Sequence, residues 1–158
     1  MLSSRTDLIL APFLRIVLAF ALALSLIPPA QAQGLGALII RNDLGGRIDI
    51  RAQEIARLRA QGRAVELRGE ACVSACTMYL GLENVCVDPR TTFGFHGPSS
   101  YGKPMPAENF EYWSKFLAGY YKPVLSDWYM KTARFELHDI YNISGRDLIR
   151  LGYRACTL

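Results

Sequence analysis

The sequence predicts one α/β domain, built on βαβ units and followed by a long aromatic helical segment. Two observations predict it. Residues 37–68 alternate between apolar, strand-like runs and one run of good helix formers. From Pro106 to about Phe135, aromatic and aliphatic side chains recur at helical spacing. The chain has 158 residues, 51% hydrophobic and 20% charged, which excludes a disordered chain. Its net charge of +4 is spread without a basic run, so no nucleic-acid partner is expected.

The first 32 residues read as an export signal. Arg5 and Arg15 flank the start, and an apolar run extends from Ile16 to Ile27. Pro28-Pro29 break it, and Ala30-Gln31-Ala32 offers small residues for a signal peptidase. The run is short of the roughly 20 residues a membrane-spanning helix needs. The membrane is therefore expected as a partner only through this segment if it is left uncleaved. The predicted organisation is a signal peptide over 1–32 and one domain over 33–158, in the periplasm or secreted.

All four cysteines, Cys72, Cys76, Cys86 and Cys156, follow that segment. Export places them where disulfides persist. Four cysteines allow three pairings, and the spacing does not choose among them. A metal site is the rival reading. Cys-x3-Cys-x9-Cys fits no common zinc ribbon and His96 is the one nearby imidazole, so no metal is assigned.

Ala37 to Arg41 is a continuous apolar run, expected as a buried strand. Asn42 to Gly46 is a turn. Arg51 to Gln61 is a helix with Ile55 and Leu58 on one side and Gly62 beyond its end. Ala64 to Arg68 alternates as a second strand. Together these form a βαβ unit. Gly69 to Val73 reads as a loop, and Ser74 to Leu82 as a helix of small residues. Asn84–Val87 and Thr91–Phe95 are short extended segments. In the aromatic stretch, Trp113, Phe116, Leu117, Tyr120, Val124 and Trp128 mark one helical face, which Pro123 should kink or split. Those aromatics suit helix core, a substrate groove or a subunit interface, the last implying a homo-oligomer. Ser144 to Asp147 resembles a capping box opening a last short helix closed by Gly152.

Three pieces carry candidate chemistry. Gly45-Gly46 follows the first strand and can aim backbone N–H groups into a pocket. Ser74, in Cys72-Val-Ser-Ala-Cys76, heads a helix. It is either an N-cap or a nucleophile on a strand-to-helix turn, with the N–H of Ala75 completing an oxyanion hole. His96 ends an apolar strand and can serve as the general base that a serine needs.

In this order the three motifs, with Thr91-Thr-Phe-Gly-Phe-His96-Gly-Pro98, resemble the proteolytic subunit of the Clp protease. That family has a Ser-Pro-Gly-Gly turn, a Gly-x-Ala-x-Ser turn and an apolar strand ending in His-x-Pro. The Cys-x-Ser-Ala-Cys version is similar to exported relatives in the Clp/crotonase superfamily. The resemblance covers residues 37–98 and returns at Ser144 to Gly152. It implies a Clp/crotonase-like core of repeated β-β-α and βαβ units, and a serine hydrolase that needs no cofactor. Its substrate would be a peptide or small acyl compound. Ser74 would be the nucleophile, His96 the base, and Gly46 and Ala75 the oxyanion donors. The family's acid lies four residues before the serine of the last helix. Counting back from Ser144 reaches Ile140, beside Asp139, which makes Asp139 the candidate acid. Asp127 and Asp147 are poorer candidates. The chain is shorter than the usual Clp subunit and has Asn-Asp-Leu in place of Ser-Pro. Export would separate it from a cytoplasmic ATPase, so proteolysis would be ATP-independent. Signal-peptide peptidases of the superfamily use a Ser–Lys dyad, for which Lys103 and Lys115 are available here. The alternative function is a non-catalytic binding or assembly module on the same fold. Acyl-coenzyme A chemistry ranks last.

Overall fold

The computed structural model describes residues 36–157. The expected signal peptide therefore lies outside the described residues.

β1 (Leu38–Asp43), α1 (Ile48–Ala60) and β2 (Val65–Val73) form the expected βαβ unit, with β1 and β2 parallel. β2 is the centre of the sheet. β3 (Val85–Val87) pairs in parallel with its first half, from Val65 to Leu67. β4 (Thr92–Phe95) pairs in parallel with its last residues, from Ala71 to Val73. β5 (Tyr141–Ser144) runs antiparallel on the far side of β4. A 3₁₀ helix over Ser74–Gly81 follows β2 directly. α2 (Ala107–Ala118), α3 (Pro123–Lys131), a 3₁₀ turn over Ala133–Phe135 and α4 (Gly145–Arg150) are the other helices among the described residues.

Three readings are corrected. Residues 69–73 are strand, not loop. Between Arg41 and Asp43 the register to β2 slips, so Asp43 faces Cys72. The irregularity is held by Asn42, at φ +53, whose Oδ1 accepts the Glu70 N–H at 2.7 Å. The turn chemistry of Gly69 thus serves a bulge, and β2 continues past it. Second, β1 is an edge strand rather than a buried one, and Ile39 is 47% exposed. Third, β5 falls where no strand was expected.

Pro123 splits the aromatic segment and occupies the first turn of α3, where its missing N–H costs nothing. On both sides of the break the buried face lies one residue along from the expected one, with Ser114 enclosed rather than Trp113. Leu117, Tyr121, Leu125 and Tyr129 are buried, whereas Val124 is 63% exposed. They join Ile55 and Leu58 of α1 and Val65, Leu67, Tyr79 and Phe93 in one core. Ser144 caps α4 as expected, accepting the Asp147 N–H at 3.2 Å.

The cysteines pair as Cys72–Cys76 and Cys86–Cys156. The first closes across Ser74. The second ties β3 to the chain end, where Val87 and Cys156 also share a backbone hydrogen bond. Two disulfides are consistent with an extracellular or periplasmic protein.

Asp88, buried between β3 and β4, accepts two side-chain bonds and one backbone bond from Arg90, and Arg68 lies 3.5 Å away. The Arg90 hydrogen bonds hold its carboxyl down at about 2, against an ordinary 3.8. A depressed carboxyl stabilises the fold above its unfolded value and loses that contribution as pH falls through its folded value. The urea midpoint of the parent should therefore fall between about pH 4 and pH 2. Asp88→Asn should be less stable at neutral pH and flatter over that window. An unchanged acid slope in the variant would remove Asp88 from the account.

Candidate active site

The site forms where β1, β2 and β4 end. Ser74 follows directly on β2 with φ +57, a left-handed conformation that a non-glycine residue adopts at a cost of order 1–3 kcal/mol. Val73 holds the N-cap position of the 3₁₀ helix and Ser74 is its first residue, so Ser74 is not spent as an N-cap. Its carbonyl is held instead. Thr77 Oγ1 donates to it at 2.7 Å, and the buried Tyr121 hydroxyl lies 2.8 Å from that Oγ1. With the threonine proton committed to the Ser74 carbonyl, Tyr121 is the donor of the second bond. Burial raises the Tyr121 phenol well above its ordinary value, so it stays protonated.

The glycine turn packs directly on Ser74. A Cβ at Gly45 would lie 2.6 Å from Ser74 Cβ and 3.0 Å from its Oγ, so only glycine fits. The turn is held from α1. Asp43 Oδ1 accepts the Gly45 N–H at 2.8 Å, and Arg51 donates to Asp43 Oδ2 at 2.6 Å. Arg51 also bonds Glu54 and the Tyr79 hydroxyl, and its guanidinium stands 4.5 Å from the Tyr79 ring centroid. Sequence reasoning missed this anchor. Asn-Asp before two glycines read only as turn chemistry, and nothing local singles out Arg51 among the arginines of its helix.

Ser74, His96, Gly46 and Ala75 all line one cavity of about 860 Å³. Phe95, Trp113, Leu117 and Tyr121 give it an apolar wall, while Arg47, Asp49 and Tyr101 lie toward its polar side. His96 is half-buried, and its Nδ1 lies 2.7 Å from the Gly97 carbonyl oxygen. Among the described residues no hydrogen bond joins His96 to Ser74.

Asp139 is not brought to this cavity. It is exposed, its Oδ1 accepts the N–H of Ile140 at 2.8 Å, and its own N–H donates to Glu136. Asp127 pairs with Lys131, and Asp147 serves Ser144 and Arg150. Neither Lys103 nor Lys115 lines the cavity. Lys103 closes a two-residue turn with Ser100, and Lys115 pairs with Glu111. Glu66, Cys86 and Cys156 lie together in a metal-ligand-like cluster, but both sulfurs are joined in the disulfide.

A solved structure of the membrane-bound stomatin-specific protease 1510-N, a lysine-to-alanine mutant in complex with a substrate peptide, superposes on this chain with a TM-score of 0.54. The two are 20% identical, over 78% of this chain and 61% of that one. The chain shares the mixed α/β fold of that neighbour, the fold class the sequence predicts. The chain spans less than two thirds of the length of that neighbour. No family model matches the sequence, and no curated protein matches it.

Proposed function

We propose that this protein is a serine peptidase acting outside the cytoplasm without an ATPase, on flexible peptides. One observation carries the reading. An uncapped, left-handed serine, a histidine and two backbone donors in a glycine turn and a strand-to-helix turn share one cavity. In the proposed reaction Ser74 Oγ attacks the peptide carbonyl while His96 Nε2 takes its proton. The N–H groups of Gly46 and Ala75 hold the oxyanion. His96 then protonates the leaving amine, and water hydrolyses the acyl-serine by the reverse roles. A positioned base supplies about 10²–10⁴ in rate, and each oxyanion donor about 10²–10³.

The missing Ser74–His96 hydrogen bond favours a second reading, a peptide-binding module with no catalysis. Catalytic hydrogen bonds are often long before substrate binds, so the bond's absence alone does not decide between them. A fluorophosphonate probe does. The full chain should be labelled, and Ser74→Ala should not be, with an unchanged melting temperature. His96→Gln should label at least about 100-fold more slowly. Equal labelling of Ser74→Ala and parent would leave the binding module.

A further inference from the structure

We infer that the backbone carbonyl of Gly97, rather than a carboxylate, orients the His96 imidazole. The inference deepens the proposed Ser74–His96 pair and rests on it. A carbonyl oxygen only accepts hydrogen bonds, so the 2.7 Å contact to Nδ1 requires the proton on Nδ1. Nε2 then keeps its lone pair, which is the state a general base needs.

The residue that carries this carbonyl is held from the far side. The Gly97 N–H donates to the Glu136 carbonyl at 2.7 Å. A Cβ at Gly97 would lie 2.0 Å from the Arg134 carbonyl oxygen, so the segment from Arg134 to Glu136 closes against it and excludes any other residue. Tyr129 donates to the His96 carbonyl at 3.3 Å. The peptide between His96 and Gly97, next to the one whose carbonyl orients the ring, is therefore clamped by α3 and the residues after it. Asp49, the carboxylate that lines the cavity, pairs with Arg47, and the carboxylates of the segment after α3 and of α2 are engaged elsewhere. Asp139 bonds the Ile140 N–H, Glu136 accepts the N–H groups of His138 and Asp139, and Glu111 pairs with Arg134. Among the described residues no carboxylate is hydrogen-bonded to His96. A neutral carbonyl sets the tautomer as a carboxylate would, but adds no charge to stabilise the imidazolium.

Nitrogen-15 NMR of the histidine rings reads the tautomer directly, with His138→Gln assigning the second histidine. The parent and Asp139→Asn should both carry the proton on Nδ1, and their probe-labelling rates should differ by less than tenfold. In a carboxylate triad the Asp-to-Asn change imposes the wrong tautomer and costs about 10⁴ in rate. A proton on Nε2 in the parent would overturn the inference. A tautomer change in Asp139→Asn, or a loss of tenfold or more, would do the same by restoring Asp139 as the orienting acid. The tautomer is measured whether or not the protein labels. Failure of the Ser74 reading, seen as labelling that survives Ser74→Ala, is thus distinguishable from failure here.

Discussion

Alanine at Gly45 is expected to cut probe labelling of Ser74 by about 100-fold or more while the chain still folds. The added Cβ would sit 2.6 Å from Ser74 Cβ and 3.0 Å from both its Oγ and the Val73 carbonyl. Neither neighbour is the free end of a flexible side chain. Ser74 is already at φ +57, and Val73 is paired with Gly94 in the sheet. The turn cannot recoil easily either, because Asp43 and Arg51 hold it against α1. Overpacking of this kind costs about 1–3 kcal/mol, and a left-handed alanine at φ +105 adds about 1 kcal/mol more. That sum is a large part of a small domain's stability, yet below the whole of it. Gly46→Ala is the control for strain. Its φ is +133, but an added Cβ would meet nothing within 4 Å. It carries the backbone strain without the clash, so it should lower the melting temperature by less and reduce labelling less. Labelling of Gly45→Ala at the parent rate would show that the turn does not set the position of Ser74.

Which parts of this arrangement were legible in the sequence follows from the range of the interactions. The βαβ unit was legible because each element carries its own periodicity, and α4 because its cap is local. Ser74 and His96 were legible as residue types at the ends of elements, and the cavity brings them together. β5 was not legible. Tyr141 to Ser144 is four residues long and largely exposed, so neither length nor alternation marks it. The Gly69–Val73 strand was hidden because a bulge uses the same glycine chemistry as a turn. The burial of Ser114 and Leu125 instead of Trp113 and Val124 was not legible because an apolar stripe this wide offers several faces, and packing against other elements decides which is enclosed. The partner of His96 is the least local feature. It is a main-chain oxygen, invisible in any side-chain pattern, and the glycine that carries it is held by residues some forty positions downstream.

Removing the two disulfides should have opposite consequences for stability and for activity. Cys86 and Cys156 are 70 residues apart, and opening that loop costs about 4 kcal/mol on the chain-entropy account. Cys72 and Cys76 are 4 apart, for which the same account gives about 2 kcal/mol. Against a total stability of about 5–15 kcal/mol, only the first loss threatens the fold. Beside the disulfide, the chain end beyond α4 meets β3 through the Val87 backbone hydrogen bonds and through Arg154 Nε, which donates to the Val85 carbonyl. The short bridge frames the nucleophile instead. Cys72 is fixed by its pairing with Phe93 and Asp43, and Cys76 sits fully buried on the 3₁₀ helix, so the bridge limits the freedom of the turn that carries Ser74. Cys86→Ala with Cys156→Ala should therefore lower the urea midpoint most, with labelling near normal in the fraction that remains folded. Cys72→Ala with Cys76→Ala should keep more of the midpoint and lose about tenfold or more in labelling rate. The reverse order on both readouts would mean that the short bridge serves the core alone. Accessibility sets the sequence under a mild reductant. Cys156 is only partly buried, whereas Cys72 and Cys76 are both enclosed, so the stabilising bridge opens before the one that frames the site.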